Sequence, residues 1–329
     1  MKLSGWRKIA GAMWGPPDDP QVYGIIEFDA TPLLALIERG RAAGYPVTPT
    51  HLVGRAVAHA LHEVPDFNVR IRGSKVIPRE TVDVFFIAAV EGGKELSGVK
   101  VERADEKSAF DVARELKERA TQMKQGDDKE FAKTKKNIAR MPRRFLRPSM
   151  RFSAWLTNSR NRDVKALGAK KQPFGSAMIT SIGMFGIPQG FAPLARFYGM
   201  PLLVLVGEIT DKPMAVDGQV VIRPVVSLTA TIDHRYADGW HISQLIKPFR
   251  AYLTDPSAFE PDPASLGPAT GAVPSEAEAE REVGERIEGV PRPDEPAAEA
   301  DGQVAAGDGQ TVVPDVELSP GEATHTLGS

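Results

Sequence analysis

Hydrophobic positions along the chain alternate between strand and helix spacing. Residues 22–28 read as a strand, and Thr31-Pro32 then predicts a helix start, with the hydroxyl as cap and the proline in the first turn. Thr48-Pro49 repeats the device. The helix after it carries Leu52, Val53, Ala56, Val57, Ala60, Leu61 and Val64 on one face, the three-four spacing of a buried stripe, with His51, Arg55, His59 and His62 mostly on the other. Residues 68–72 and 75–77 flank Gly73-Ser74 as a hairpin, and residues 82–90 have the unbroken apolar character of a strand buried on both faces. A helix is predicted from Ser108, with Asp111 supporting its cap, Val112, Ala113, Leu116, Ala120 and Met123 on one side, and Gly126 at its end. Strands follow at 177–181 and 201–208. Asp217-Gly218 then turns the chain into a long strand over 220–233. The last helix starts near Gly239, with Ile242, Leu245, Ile246, Phe249 and Leu253 facing inward and Pro248 expected to kink it. No fixed-period repeat occurs, and the elements predict a mixed α/β layer domain of roughly 220 to 250 residues.

Composition refines this picture. The chain has 329 residues, 42% of them hydrophobic, enough for a sizeable core. No apolar run approaches the roughly 18 to 20 residues that span a bilayer, and the N-terminus makes a poor secretory signal, so a soluble cytoplasmic protein is expected. The absence of cysteine excludes disulfides, thiolate metal sites and a cysteine nucleophile, so a reactive sulfur must arrive with a substrate. The net charge of -2 averages two opposed segments. Residues 124–171 hold about 15 Lys and Arg against about 4 acids, and residues 260–329 about 16 acids against about 3 Arg. The second stretch is rich in Pro, Gly, Ala and Glu and has no aromatic residue after 260, the composition of a disordered acidic tail.

Candidate chemistry gathers at the end of the long strand, in SLTATIDHRYADGWHIS. A histidine there, His234, followed four residues later by Asp238 and then Gly239, sits in a strand-to-helix turn where side chains project into a cleft, and it can act as a general base. The spacing alone is weak, since His and Asp fall four apart by chance in many proteins. His241, two residues into the helix, reads as a packing or solvent-facing residue. His59 and His62 have metal-ligand spacing but no evident third ligand, so no metal site is expected.

The run DHRYADG, the earlier TSIGMFG, the N-terminal WRKIAGAM, FDATPLLALIE and VERADEKSAFDVARELKERA resemble, in order, the catalytic domain of the dihydrolipoyl acyltransferases of 2-oxo acid dehydrogenase complexes. The likeness runs from about residue 4 to 126 and from about 175 to 256. It implies a chloramphenicol acetyltransferase-like fold, an α/β mixed-sheet sandwich with flanking helices. It also implies an acyl-CoA-dependent acyltransferase with His234 as base. In TSIGMFG the family usually has serine where this chain has Thr180, the implied oxyanion donor, with Ser181 as the neighbouring alternative. Asp238 resembles the aspartate that holds the active-site turn by a salt bridge, and Arg7 is the candidate partner. The resemblance implies a homotrimer or larger assembly with the site between neighbours. Coenzyme A or acyl-CoA would be substrate, no cofactor would be covalently bound, and a lipoyl group, supplied in trans, or another small molecule would be the acceptor. The domain is expected to be free-standing, without lipoyl or partner-binding modules, and to span 1–259 with a basic amphipathic insertion at about 127–171 and the acidic tail at 260–329.

The insertion interleaves Phe145, Leu146, Met150, Phe152 and Trp155 with Lys and Arg. One reading packs it on the domain or a neighbouring subunit. A second lays it on an anionic membrane. Nucleic acid is not expected, because no recognition motif accompanies the charge. Beside the enzyme stands a different class of function, a non-catalytic scaffold that keeps the fold and uses the insertion and tail for contacts. Retention of His234, Asp238 and a hydroxyl at 180 favours the enzyme.

Overall fold

A computed structural model describes residues 20–72, 75–90, 95–124, 142–164 and 170–266. The chain enters through β1 (Gln21–Asp29), followed by α1 (Thr31–Ala42) and α2 (Pro49–Glu63). The cap of α1 differs from the sequence expectation. Asp29, at the end of β1, accepts the Thr31 N–H at 2.8 Å, so its carboxylate takes over the role expected of the Thr31 hydroxyl. Thr48 does cap α2, and its N–H donates to Nδ1 of His51 at 3.2 Å.

A hairpin of β2 (Val69–Arg72) and β3 (Lys75–Pro78) precedes β4 (Val84–Val90) and β5 (Glu95–Val101). Ser108 and Asp111 then cap α3 (Ala109–Lys124) reciprocally, as expected, the serine hydroxyl donating to the carboxylate at 2.7 Å and accepting the Asp111 N–H at 3.1 Å. Within the insertion, α4 (Arg143–Ala154) leads into a π-helical turn, Trp155–Ser159. The chain continues through β6 (Ala177–Ser181), β7 (Leu202–Val216), β8 (Gln219–Asp233) and α5 (Gly239–Thr254), which runs on through Pro248.

The large sheet has the order β1-β8-β7-β6-β4-β5. β6 lies parallel to both β4 and β7, while the other neighbours are antiparallel. Strand alternation divides its residues between two cores. Val84, Phe86, Ile179, Val204, Leu228 and Ile232 join α1, α2, α3 and α5 on one face. Met178, Leu203 and Leu205 join Leu146 and Met150 of α4 on the other. Burial on both faces is why β4 reads as a continuous apolar run. Leu52 and Leu61 of α2 are fully buried, and truncating either to alanine is expected to cost about 2–5 kcal/mol.

β7 exceeds the strand expected at 201–208, while β8 matches the long strand expected over 220–233. Beyond a register shift between Val206 and Ile209 they continue as a ribbon to the Asp217-Gly218 turn, where both residues have positive φ, 52° and 79°. Charged and proline residues at 211–213 hide the outer part of β7 from a hydrophobicity reading, because it packs against little besides its own partner strand.

Glu260, expected to begin an acidic tail, is buried at 7% exposure. Its carboxylate accepts the Ala109 N–H at the start of α3 and the Tyr252 hydroxyl, both at 2.6 Å, and Arg55 lies 3.5 Å away. Burial raises the Glu260 carboxyl above its ordinary range, and the tyrosine hydroxyl is raised with it. The described fold therefore continues to Leu266. The rest of the expected tail, residues 267–329, lies outside the described residues, as do 125–141 and 165–169 of the insertion.

Candidate active site

β8 lies between β1 and β7, and its two faces differ chemically. Leu228 and Ile232 enter the helix-side core, while Ser227, Thr229, Thr231 and Asp233 are buried on the opposite face. The two threonine hydroxyls bind the loop that follows β6: Thr229 donates to the Gly190 carbonyl, and Thr231 to the Ala192 carbonyl at 2.8 Å. Gly183 in TSIGMFG has a steric reason to be glycine, since a Cβ there would come within 2.7 Å of the Gly207 carbonyl oxygen on β7.

The strand ends in a turn held mostly through its backbone. Asp233 donates its N–H to the Pro201 carbonyl at 3.0 Å, His234 to the Pro20 carbonyl at 2.9 Å, and Tyr236 to the Asp233 carbonyl at 2.9 Å. The buried Asp233 carboxylate receives two guanidinium nitrogens of Arg235, Nε at 2.9 Å and Nη2. With its backbone so fixed, His234 presents an exposed side chain. Asp238 caps α5, accepting the N–H groups of Trp240 at 3.0 Å and His241 at 3.2 Å. The same carboxylate lies 2.7 Å from Nδ1 of His241, and this contact, with the capped N–H groups, lowers the Asp238 pKa.

The sequence-derived site residues separate into groups. His234, Asp238 and Gly239 share the turn, and a Cβ at Gly239 would meet nothing within 4 Å, so no close approach requires glycine there. His241 is Asp238's side-chain partner among the described residues, where the sequence had assigned only packing or solvent. Arg7 lies outside the described residues. Thr180 and Ser181, both half-buried, stand at the end of β6 opposite Leu205 and Val206 of β7. His234 follows the other end of the β7 pairing, beside Pro201. Within one subunit His234 and Thr180 are thus roughly 16 Å apart along the strands and about 10 Å across them, at about 3.3 Å per residue and 4.8 Å per strand.

Strand alternation places Thr180 on the face of Met178, which packs with Leu146 and Met150 of α4. The helical part of the insertion is therefore packed on the sheet face that carries the hydroxyl. On the opposite face an apolar cavity of about 270 Å³ lies between the sheet and helices α2 and α5, lined by Ile26, Val57, Leu228, Ile232, Leu245 and others. No titratable side chain lines it among the described residues, so it supplies space without acid-base chemistry.

A second set of residues around the turn escaped the sequence reading. The Tyr236 hydroxyl donates to the Gly199 carbonyl at 3.0 Å and accepts the Ile71 N–H at 3.4 Å. Buried Arg79 donates to the same carbonyl at 3.0 Å, to the Val69 carbonyl at 3.2 Å and to Gln172. Burial lowers the Arg79 pKa to about 10 and raises that of Tyr236. The only available signal was an aromatic residue two positions after His234.

Among the described residues no group of three or more His, Asp or Glu side chains is placed to hold a metal ion. His62 instead lies 2.8 Å from the Asp105 carboxylate, while His59 packs on Tyr252 and Phe259. Residues 252–260 thereby cover part of the polar face of α2.

Comparison with known proteins follows the same outline. Residues 2–132 and 157–260 match the family described as 2-oxoacid dehydrogenases acyltransferase (catalytic domain). The chain is 27% identical over 263 residues to the dihydrolipoyllysine-residue acetyltransferase component of the pyruvate dehydrogenase complex of Bacillus subtilis, covering 78% of this chain and 50% of that protein. It thus spans about half the length of this curated relative. A probable dihydrolipoamide acetyltransferase from Listeria monocytogenes superposes with a TM-score of 0.57 at 22% identity, over 83% of this chain and 97% of the other. The dihydrolipoamide acetyltransferase of Azotobacter vinelandii superposes with a TM-score of 0.53 at 21% identity, over 73% and 84%. That structure is described as addressing the catalytic role of a serine, a histidine and an asparagine four residues beyond the histidine. These likenesses support the mixed-sheet α/β fold expected from the sequence.

Proposed function

The chain belongs to the 2-oxoacid dehydrogenases acyltransferase (catalytic domain) family, and from that footing we propose that it transfers an acyl group between coenzyme A and the thiol of a dihydrolipoyl group or another small acceptor. The observation that carries this reading is the exposed His234, fixed by its backbone at the end of β8 and followed four residues later by the helix-capping Asp238. Neutral imidazole removes the acceptor's proton as the thiol attacks the acyl carbonyl, then returns a proton to the departing CoA sulfur. Thr180 donates its hydroxyl to the tetrahedral oxyanion. Asp238 sets the turn by capping α5, with His241 on its carboxylate. Because His234 and Thr180 stand far apart in one subunit, the reading requires a homo-oligomer in which one subunit's histidine meets its neighbour's threonine. The lipoyl group would come in trans.

The test is thiol release from a panel of acyl-CoAs, with and without dihydrolipoamide. Acceptor-dependent release that disappears in His234→Ala supports the proposal. A chain that turns over no acyl-CoA under any acceptor would leave the scaffold function.

A further inference from the structure

The outward face of α4 has no role in the chemistry above, and α4 falls in the gap between the two stretches that match the family. Leu146, Met150 and Ala154 anchor one side in the core. The opposite side carries Phe145, Phe152 and Trp155 at 53%, 57% and 44% exposure. Their spacing of seven and then three residues puts all three rings on one stripe. Phe152 stacks on Trp155 with ring centroids 5.9 Å apart. Guanidinium groups flank the stripe, with Arg144 4.8 Å from the Phe145 ring centre and Arg160 4.8 Å from that of Trp155. From residue 142 to 162 the sequence contains no Asp or Glu.

We propose that this face of α4 seats on an anionic lipid surface. The helix is 12 residues long, too short to span a bilayer but suited to lying in the interface. Rings placed between guanidiniums enter the headgroup boundary while the arginines remain at phosphate level. The unbroken positive charge matches a uniformly negative surface better than a protein face of mixed sign. The inference is independent of the acyl transfer reaction, because none of these side chains belongs to the site.

The test is flotation of the full chain with phosphatidylcholine vesicles, with or without about 30 mol% phosphatidylglycerol, at salt from about 50 to about 500 mM. Binding is expected only with the anionic lipid, and it should fall about tenfold or more across the salt range. Phe152→Ser with Trp155→Ser, and separately Arg144→Glu with Arg160→Glu, should each reduce binding about tenfold or more, with melting temperature and acyl transfer unchanged. If the serine pair lowers the melting temperature, the arginine pair alone decides the matter. Failure of the full chain to bind anionic vesicles overturns the proposal, whether the acidic C-terminal residues or another subunit holds the face. Binding that survives both variants overturns it as well, as does a change of oligomeric mass in either.

Discussion

The His234 side chain is exposed, and its backbone N–H is held by Pro20, so replacing the ring tests chemistry with little effect on packing. His234→Ala is expected to lower turnover about 10²–10⁴-fold with an unchanged melting temperature, and steady-state kinetics beside calorimetry will check it. Thr180→Val removes a hydroxyl at nearly constant volume and should lower the rate about 10²–10³-fold, an effect read in kcat more than in KM. Asp238 separates two structural roles. As a helix cap it is replaceable by asparagine, so Asp238→Asn should melt close to the parent, whereas Asp238→Ala should lower the urea midpoint. A large loss in Asp238→Asn would instead point to a cationic partner such as Arg7, left unpaired by removal of the charge.

Elements with a clear period were legible in the sequence because period reports burial directly. The stripe of α2, the apolar run of β4 and the Ser108–Asp111 cap all appear where the pattern placed them. Groups joined only by the tertiary fold were not legible. Glu260 looks like the first acid of a charged tail until Tyr252 and the start of α3 are brought to it, and Arg79 meets Tyr236 only through the Gly199 carbonyl. Tyr252→Phe leaves the buried Glu260 carboxyl short of a donor and should cost about 1–3 kcal/mol in denaturant unfolding. At the start of α2, His51 has its pKa lowered by burial from 6.5 to about 4, and its Nδ1 accepts the Thr48 N–H. Between those values the unfolded chain binds the proton that the folded chain refuses, so stability falls as pH drops from about 6.5 towards 4. At about 1.4 kcal/mol per unit, the full loss is on the order of 3 kcal/mol. His51→Gln keeps an acceptor for the cap but cannot titrate, so urea midpoints measured across this range should show a shallower acid limb than the parent.

At the scale of the whole molecule, the proposed mechanism makes assembly part of the chemistry through the positions of His234 and Thr180. Lying past opposite ends of the β7 pairing, they are too far apart to touch one carbonyl within a single subunit. The exposed Tyr23 and Ile25 on β1, an edge strand, and the exposed Met184, Phe185, Ile187 and Phe191 after β6 leave apolar surface beside both residues, and Tyr23 and Phe191 are in edge-to-face contact at 5.1 Å. A neighbouring subunit covering that surface would remove the cost of exposing it and complete the site. The full chain is therefore expected to scatter light as a trimer at micromolar concentration, and a monomer would defeat the composite site. Complementation gives a sharper test. When His234→Ala and Thr180→Val chains are unfolded together and refolded at equal concentration, each interface has an even chance of an intact histidine from one side and, independently, an even chance of an intact hydroxyl from the other. About a quarter of all sites, and about one in three within mixed trimers, should then be whole, and the mixture should outpace either parent variant. A mixture no faster than the mean of the two variants would place both residues in the same subunit's site, contrary to the sheet register.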